Sequence, residues 1–144
     1  LLRQITDQKF FEDACKVVQK HTDRIFEILS EMNTSSSERQ ARLAIDYIQK
    51  NYMDPDLSLN SICSYLNIST SYFSTIFKDE TGETFTEVLI RTRMEKAREL
   101  LEKTTMKNYE IAEKVGFSDP HYFGISFKKM TGCTPTEYAR EKRR

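Results

Sequence analysis

Tyr72-Phe-Ser-Thr-Ile-Phe-Lys-Asp-Glu-Thr-Gly-Glu-Thr-Phe-Thr-Glu87 returns fifty residues later as Tyr122-Phe-Gly-Ile-Ser-Phe-Lys-Lys-Met-Thr-Gly-Cys-Thr-Pro-Thr-Glu137, identical at nine of sixteen positions. Self-similarity at a fixed spacing marks one supersecondary unit used twice. In each copy the apolar residues fall at helical spacing and predict an inward stripe. These are Phe73, Ile76 and Phe77 in the first copy, and Phe123, Phe127 and Met130 in the second. Gly82 and Gly132 stand where a left-handed residue ends a helix. Thr84-Phe-Thr-Glu87 and Thr134-Pro-Thr-Glu137 then read as capping boxes, with Pro135 at the favoured first helical position. Each copy is a helix end, a stop and a helix start.

Outward from the first copy, Ser58 caps a short helix holding Ile62, Cys63 and Leu66. Asn67-Ile68 turns the chain, and Ser69 caps the helix that stops at Gly82. Two short helices joined by a tight turn predict a helix-turn-helix over 58–81. A long linking helix over 84–101 has Val88, Leu89, Ala97, Leu100 and Leu101 on its core face, with Arg91, Arg93, Lys96 and Arg98 elsewhere. The second helix-turn-helix covers 107–131: Ile111, Ala112 and Val115 point inward, Gly116-Phe117 turns, Asp119 caps, and Pro120 opens the next helix. A final helix over 135–142 runs into the basic tail Arg140-Glu-Lys-Arg-Arg144.

Upstream, Glu38 to Tyr52 reads as a helix with Leu43, Ile45, Tyr47 and Ile48 inward, ended by Asp54-Pro55-Asp56. Thr34 to Ser37 is a polar break that divides residues 38–144 from an N-terminal segment, 1–37. That segment predicts an amphipathic helix from about Gln8 to Met32. Phe11, Ala14, Cys15, Val18, Ile25, Ile28, Leu29 and Met32 give it near-heptad spacing, interrupted by His21. A homodimerisation helix or a signalling linker fits it; so does a helix packed on its own domain. The fold class is all-α: two tandem helix-turn-helix units, a long central helix and an amphipathic helix in front.

Composition narrows the function. No apolar run reaches the roughly twenty residues of a membrane span, and no export signal is recognisable, so a cytoplasmic, nucleoid-associated protein is expected. Three scattered cysteines and two histidines make a metal site or a disulfide framework improbable, and reduced, buried thiols are expected instead. No nucleophile–base arrangement or glycine-rich phosphate loop appears, so no enzyme and no cofactor is predicted. Formal charge is zero overall yet divided: residues 38–88 carry four Lys+Arg against eight Asp+Glu, residues 89–144 thirteen against eight. A basic half suits a polyanion, although weak total charge argues against avid nonspecific binding.

A helix-turn-helix offers its second helix to the major groove of double-stranded DNA. The face opposite each core stripe is Ser71, Ser74, Thr75 and Lys78 in the first unit and His121, Gly124, Ile125 and Lys128 in the second. Polar or small residues let such a face approach base edges. Lys78, Lys128 and Lys129 suit phosphates, His121 a base or phosphate; Tyr72 and Tyr122 read first as packing. Gly124 either admits the duplex closely or is tolerated drift.

These residues resemble a known family. Leu57-Ser-Leu59, Leu66-Asn-Ile-Ser69, Tyr72-Phe73, Phe77-Lys78, Thr81-Gly82, Arg93-Met94, Leu100-Leu101, Ile111-Ala112, Val115-Gly-Phe-Ser-Asp-Pro120, Tyr122-Phe123, Phe127-Lys-Lys129, Thr131-Gly132, Thr134-Pro135 and Tyr138 resemble the DNA-binding domain of AraC/XylS-type transcriptional regulators, over about Gln40 to Arg140. The wording of the second unit is most similar to the YesN-like response-regulator branch. The resemblance implies seven helices, two helix-turn-helix units and promoter binding, and its response-regulator branch implies a receiver domain upstream; RNA polymerase is a further candidate partner. It places Ser71, Ser74 and Thr75 in the first reading helix, and His121, Tyr122, Gly124 and Ile125 in the second. Family members often carry arginine at the positions of Thr75 and Ile125. Thr and Ile cannot grip guanine bidentately but can touch a thymine methyl, so an AT-leaning readout supplemented by shape is expected. A helical protein–protein interaction module with little intrinsic DNA affinity is the alternative.

Overall fold

The computed structural model describes the backbone of residues 2–142 and the side chains of 10–32 and 36–142. Seven helices occur among the described residues: α1 (Leu2–Asn51), α2 (Leu59–Leu66), α3 (Thr70–Thr81), α4 (Phe85–Lys103), α5 (Asn108–Lys114), α6 (Pro120–Thr131) and α7 (Pro135–Lys142). Arg143 and Arg144 of the basic tail lie outside the described residues.

One expected feature is corrected. The backbone stays helical through 34–37, where composition predicts a break. Ser and Thr lower helix propensity by only ~0.5 kcal/mol each, and neither Gly nor Pro is present to force a stop. Even so, the chain divides into two compact units near the predicted boundary, 1–38 and 39–144. Each is described by itself.

In the second unit the predicted caps are in place. Ser58 accepts from Ser61 N–H, Ser69 from Tyr72 N–H and Asp119 from His121 N–H. Thr84 and Thr134 close reciprocal boxes: Glu87 Oε2 accepts Thr84 N–H at 2.8 Å, and Glu137 Oε2 accepts Thr134 N–H at 2.8 Å. Satisfying orphan N–H groups at each helix start is worth typically ~1 kcal/mol per cap. The two inter-helix turns share one pattern, with Ile68 N–H on Cys63 O and Phe117 N–H on Ala112 O. Asn67 (φ 55°) and Gly116 (φ 92°) supply their left-handed residues. These turn bonds are offset by 49 residues, whereas the next caps, Ser69 and Asp119, are offset by 50. The second turn therefore holds one extra residue, Ser118.

Two hydrophobic clusters share α4 as their spine. Phe85, Val88 and Leu89 join Ala41, Ala44, Ile48, Ile62, Cys63, Phe73 and Phe77. Met94, Ala97 and Leu101 join Ile111, Val115, Phe117, Phe123, Phe127 and Tyr138. Three packing expectations change. Before Asn51, Ile48 is buried and Ile45 and Tyr47 pack half-buried as expected, but Ala41 and Ala44 complete the stripe and Leu43 is exposed. Met130 is 46% exposed and does not extend the Phe123–Phe127 stripe. Arg93, assigned to the charged side of the linking helix, is buried. Its Nε donates to Tyr52 O at 2.8 Å and its Nη2 to Asp54 O at 2.7 Å, with the guanidinium 5.4 Å from the Phe117 ring centre. Burial lowers its pKa, an effect partly offset by Asp54. Cys63 is buried and Cys133 half-buried as free thiols, whereas Cys15 is exposed.

Candidate nucleic-acid interface

Both second helices of the helix-turn-helix units keep one face in the core and one in solvent. On α3, Phe73 and Phe77 are buried, and Ser71, Ser74, Thr75 and Lys78 are exposed. On α6, Phe123 and Phe127 are buried, and His121, Tyr122, Ile125, Lys128 and Lys129 are exposed, with Gly124 half-buried. The periodicity alone separates these faces, because residues three and four apart share one side of a helix. Thr75 donates its hydroxyl to Ser71 O at 3.1 Å, so its hydrogen is already engaged. Its methyl remains suited to an apolar contact. A Cβ at Gly124 would meet nothing within 4 Å, so no packing inside the domain demands glycine there.

The tyrosines divide. Tyr122 is 50% exposed while its ring lies 5.9 Å from Phe117, so it both packs and meets solvent. Tyr72 is 41% exposed, more open than the packing expectation.

Arg91, Lys96 and Arg98 of α4 are committed internally, as Arg93 is. Arg91 Nη2 donates to Glu83 at 2.9 Å, which raises its pKa, and Lys96 pairs with Glu99 at 3.1 Å. Arg98 Nε donates to Tyr138 OH at 3.0 Å, and that hydroxyl donates to Glu102 at 2.6 Å. The lysines of α3 and α6 are set differently. The Glu87 carboxyl is held below the usual carboxylate range by its Thr84 bonds first, then by Lys78 and Lys129. Glu137 is lowered likewise by Thr134, then by Lys128 and Arg140. What sequence reasoning missed here is that each repeated lysine acts through space on the next repeated glutamate. The signal was available, since Lys78 and Lys128, and Glu87 and Glu137, are identities of the repeat.

A family model described as a helix-turn-helix domain matches residues 62–141. The C-terminal domain of AraT, a response regulator from Geobacillus stearothermophilus, superposes with a TM-score of 0.70 at 44% identity, covering 71% of this chain and 84% of that one. The chain belongs to the AraC-type helix-turn-helix family. Within that family it also matches the C-terminal domain of the two-component response regulator YesN from Fusobacterium nucleatum subsp. nucleatum, with 42% identity, a TM-score of 0.67, and coverage of 68% and 95%. Both neighbours place it in the YesN-like branch. RafR, the raffinose operon transcriptional regulatory protein of Pediococcus pentosaceus, is 33% identical over 104 residues, 72% of this chain and 37% of RafR. The chain thus spans well under half the length of that relative. The AraC-type family is one of DNA-binding regulators and not an enzyme class. No helix among the described residues is long and apolar enough to cross a membrane.

Proposed function

We propose that this chain binds double-stranded DNA at promoters as the output domain of a response regulator, with α3 and α6 in adjacent major-groove segments. The observation that carries it is the doubled face: two capped helices of one repeat, each with a buried aromatic pair behind and small or polar residues in front. The nineteen residues of α4 span about 28 Å at 1.5 Å per residue, commensurate with the ~34 Å between successive groove faces on one side of B-DNA. Ser71, Ser74, Thr75, His121, Tyr122, Gly124 and Ile125 stand at the bases; Lys78, Lys128 and Lys129 stand at phosphates. No catalytic step and no cofactor belongs to this role. RNA polymerase is a partner by function, with no face of the domain assigned to it.

Selection from a random duplex pool, followed by anisotropy titration at two salt concentrations, tests this. Two enriched blocks about one helical turn apart are expected. Lys128→Ala weakens binding alike on all sequences and reduces the salt slope by ~0.9, the loss of one phosphate contact. Ile125→Ala changes preference at one or two base pairs. Salt-insensitive or absent binding would point instead to a protein–protein module.

The first unit supports self-association. Phe11, Cys15, Val18, Thr22, Ile25, Leu29 and Met32 alternate at spacings of four and three, while Asp13, Lys16, Lys20, Asp23, Arg24, Glu27 and Glu31 lie off that line. Ile25, Leu29 and Met32 are each more than half exposed. An uncharged apolar seam of this kind is covered by a second copy of the helix. Sedimentation should show a concentration-dependent dimer that Ile25→Lys abolishes; a monomer at every concentration would exclude it.

A further inference from the structure

Between the start of α4 and the reading helix α6 runs an open groove of about 580 Å³. Glu83, Glu87 and Arg91 line it on the α4 side, and Ile125 and Lys129 on the α6 side. Glu83 is neutralised within it by Arg91. Glu87 is not: among the described residues no cation lies within 4 Å of its carboxylate. The carboxylate is also fixed in place. Its Oε2 accepts both the Thr84 N–H and the Thr84 Oγ1 hydroxyl at 2.8 Å, so it cannot swing away without opening the α4 cap. Lys78, in the last turn of α3, and Lys129, on α6, both act on this charge through space. One pinned anion therefore shares a groove with Lys129 of α6 and lies within the electrostatic reach of Lys78 of α3.

We propose that Glu87 is a positioning residue that restrains DNA affinity at the junction of the two helix-turn-helix units. It draws Lys78 and Lys129 toward the groove in the free protein, and it opposes the phosphates that cross the groove mouth when α3 and α6 both engage. The proposal rests on the DNA reading above, because Ile125 belongs at once to the groove and to the presented face of α6. The repeat supplies an internal contrast. Glu137 makes the same two bonds to Thr134, also at 2.8 Å, yet it does not line the groove and answers to Lys128 and Arg140.

Glu87→Gln separates the charge from the cap, since glutamine closes a capping box as glutamate does. The full 144-residue chain and its Gln variant are titrated with the selected duplex over a salt series, with urea unfolding alongside. The variant is expected to bind roughly two- to fivefold tighter near 0.1 M salt, with a slope steeper by ~0.9, and to be slightly less stable but fully folded, because the Thr84 bonds favour the ionised side chain. Lys129→Ala should then lose more affinity in the Gln background than in the parent chain, because the lysine is no longer shared with Glu87. Equal affinity and slope for parent and Glu87→Gln, or weaker binding by a variant that urea unfolding shows to be folded, would overturn the proposal while leaving the DNA reading intact. Absence of salt-dependent binding by either protein would overturn both.

Discussion

Gly116→Ala is expected to destabilise the 39–144 unit by about 3–5 kcal/mol, whereas Gly132→Ala should cost only ~1–2. Both glycines have φ well into the left-handed region, +92° and +83°, and for both an alanine incurs the same backbone penalty. They differ in surroundings. A Cβ at Gly132 would meet nothing within 4 Å, but one at Gly116 would sit 2.3 Å from the Tyr52 carbonyl oxygen and 3.0 Å from the Arg93 guanidinium. That carbonyl cannot simply retreat, because it accepts the Arg93 Nε hydrogen at 2.8 Å in the segment that carries the Asn51–Asp54 turn bond. The added methyl must therefore break the Arg93 bond or displace the turn of the second helix-turn-helix. Each kcal/mol moves the melting midpoint of a domain near 100 residues by about 4–8 °C, so the two variants should differ by roughly 5 °C or more. Thermal and urea unfolding of the pair decides it. Matching midpoints would show that the Tyr52 carbonyl is not against Gly116.

No feature of the sequence ranks Gly116 above Gly82 and Gly132, since all three follow a helical run. Their difference lies in a contact between residues 64 positions apart, and local rules do not reach that far. What local rules do reach was legible: Ser58, Ser69, Thr84, Asp119 and Thr134 cap the helices they were expected to cap, because a cap is decided within four residues. Other misreadings had signals in plain view. Met130 occupies the repeat position of Glu80, a residue unfit for a core, and it proves exposed like its counterpart. Leu43 drew attention by size, while Ala41 and Ala44, at spacings of three and four before the correctly read Ile48, complete the real stripe. Of the candidate interface, the register of α3 and α6 could be read in advance. The groove that joins Glu87 to α6 could not, because it depends on how α4 carries two units at once.

Replacing Arg93 by alanine should lower stability by about 3–5 kcal/mol, and by lysine about half as much. Arg93 lies four residues from Leu89 and four from Ala97, in the middle of the apolar stripe of α4; a charge there signals a buried partner. Its partners are two carbonyls, Tyr52 and Asp54, rather than a carboxylate. Alanine removes both donors and leaves those oxygens without them beside a space the guanidinium filled against Phe117. Lysine restores a charge and at most part of the bonding, since a single ammonium lacks the fork that reaches two carbonyls. The location magnifies the effect. Tyr52 packs against both hydrophobic clusters, and Phe117, in the turn that precedes α6, packs in the second. Arg93 thus ties the end of α1 to the turn that precedes α6, and the two clusters should unfold less cooperatively without it. Urea unfolding followed by hydrogen exchange tests both statements: protection in α5 and α6 should fall further than protection in α2 and α3. A loss below ~1 kcal/mol for Arg93→Ala, or an even fall across the unit, would mean that α4 alone couples the two halves.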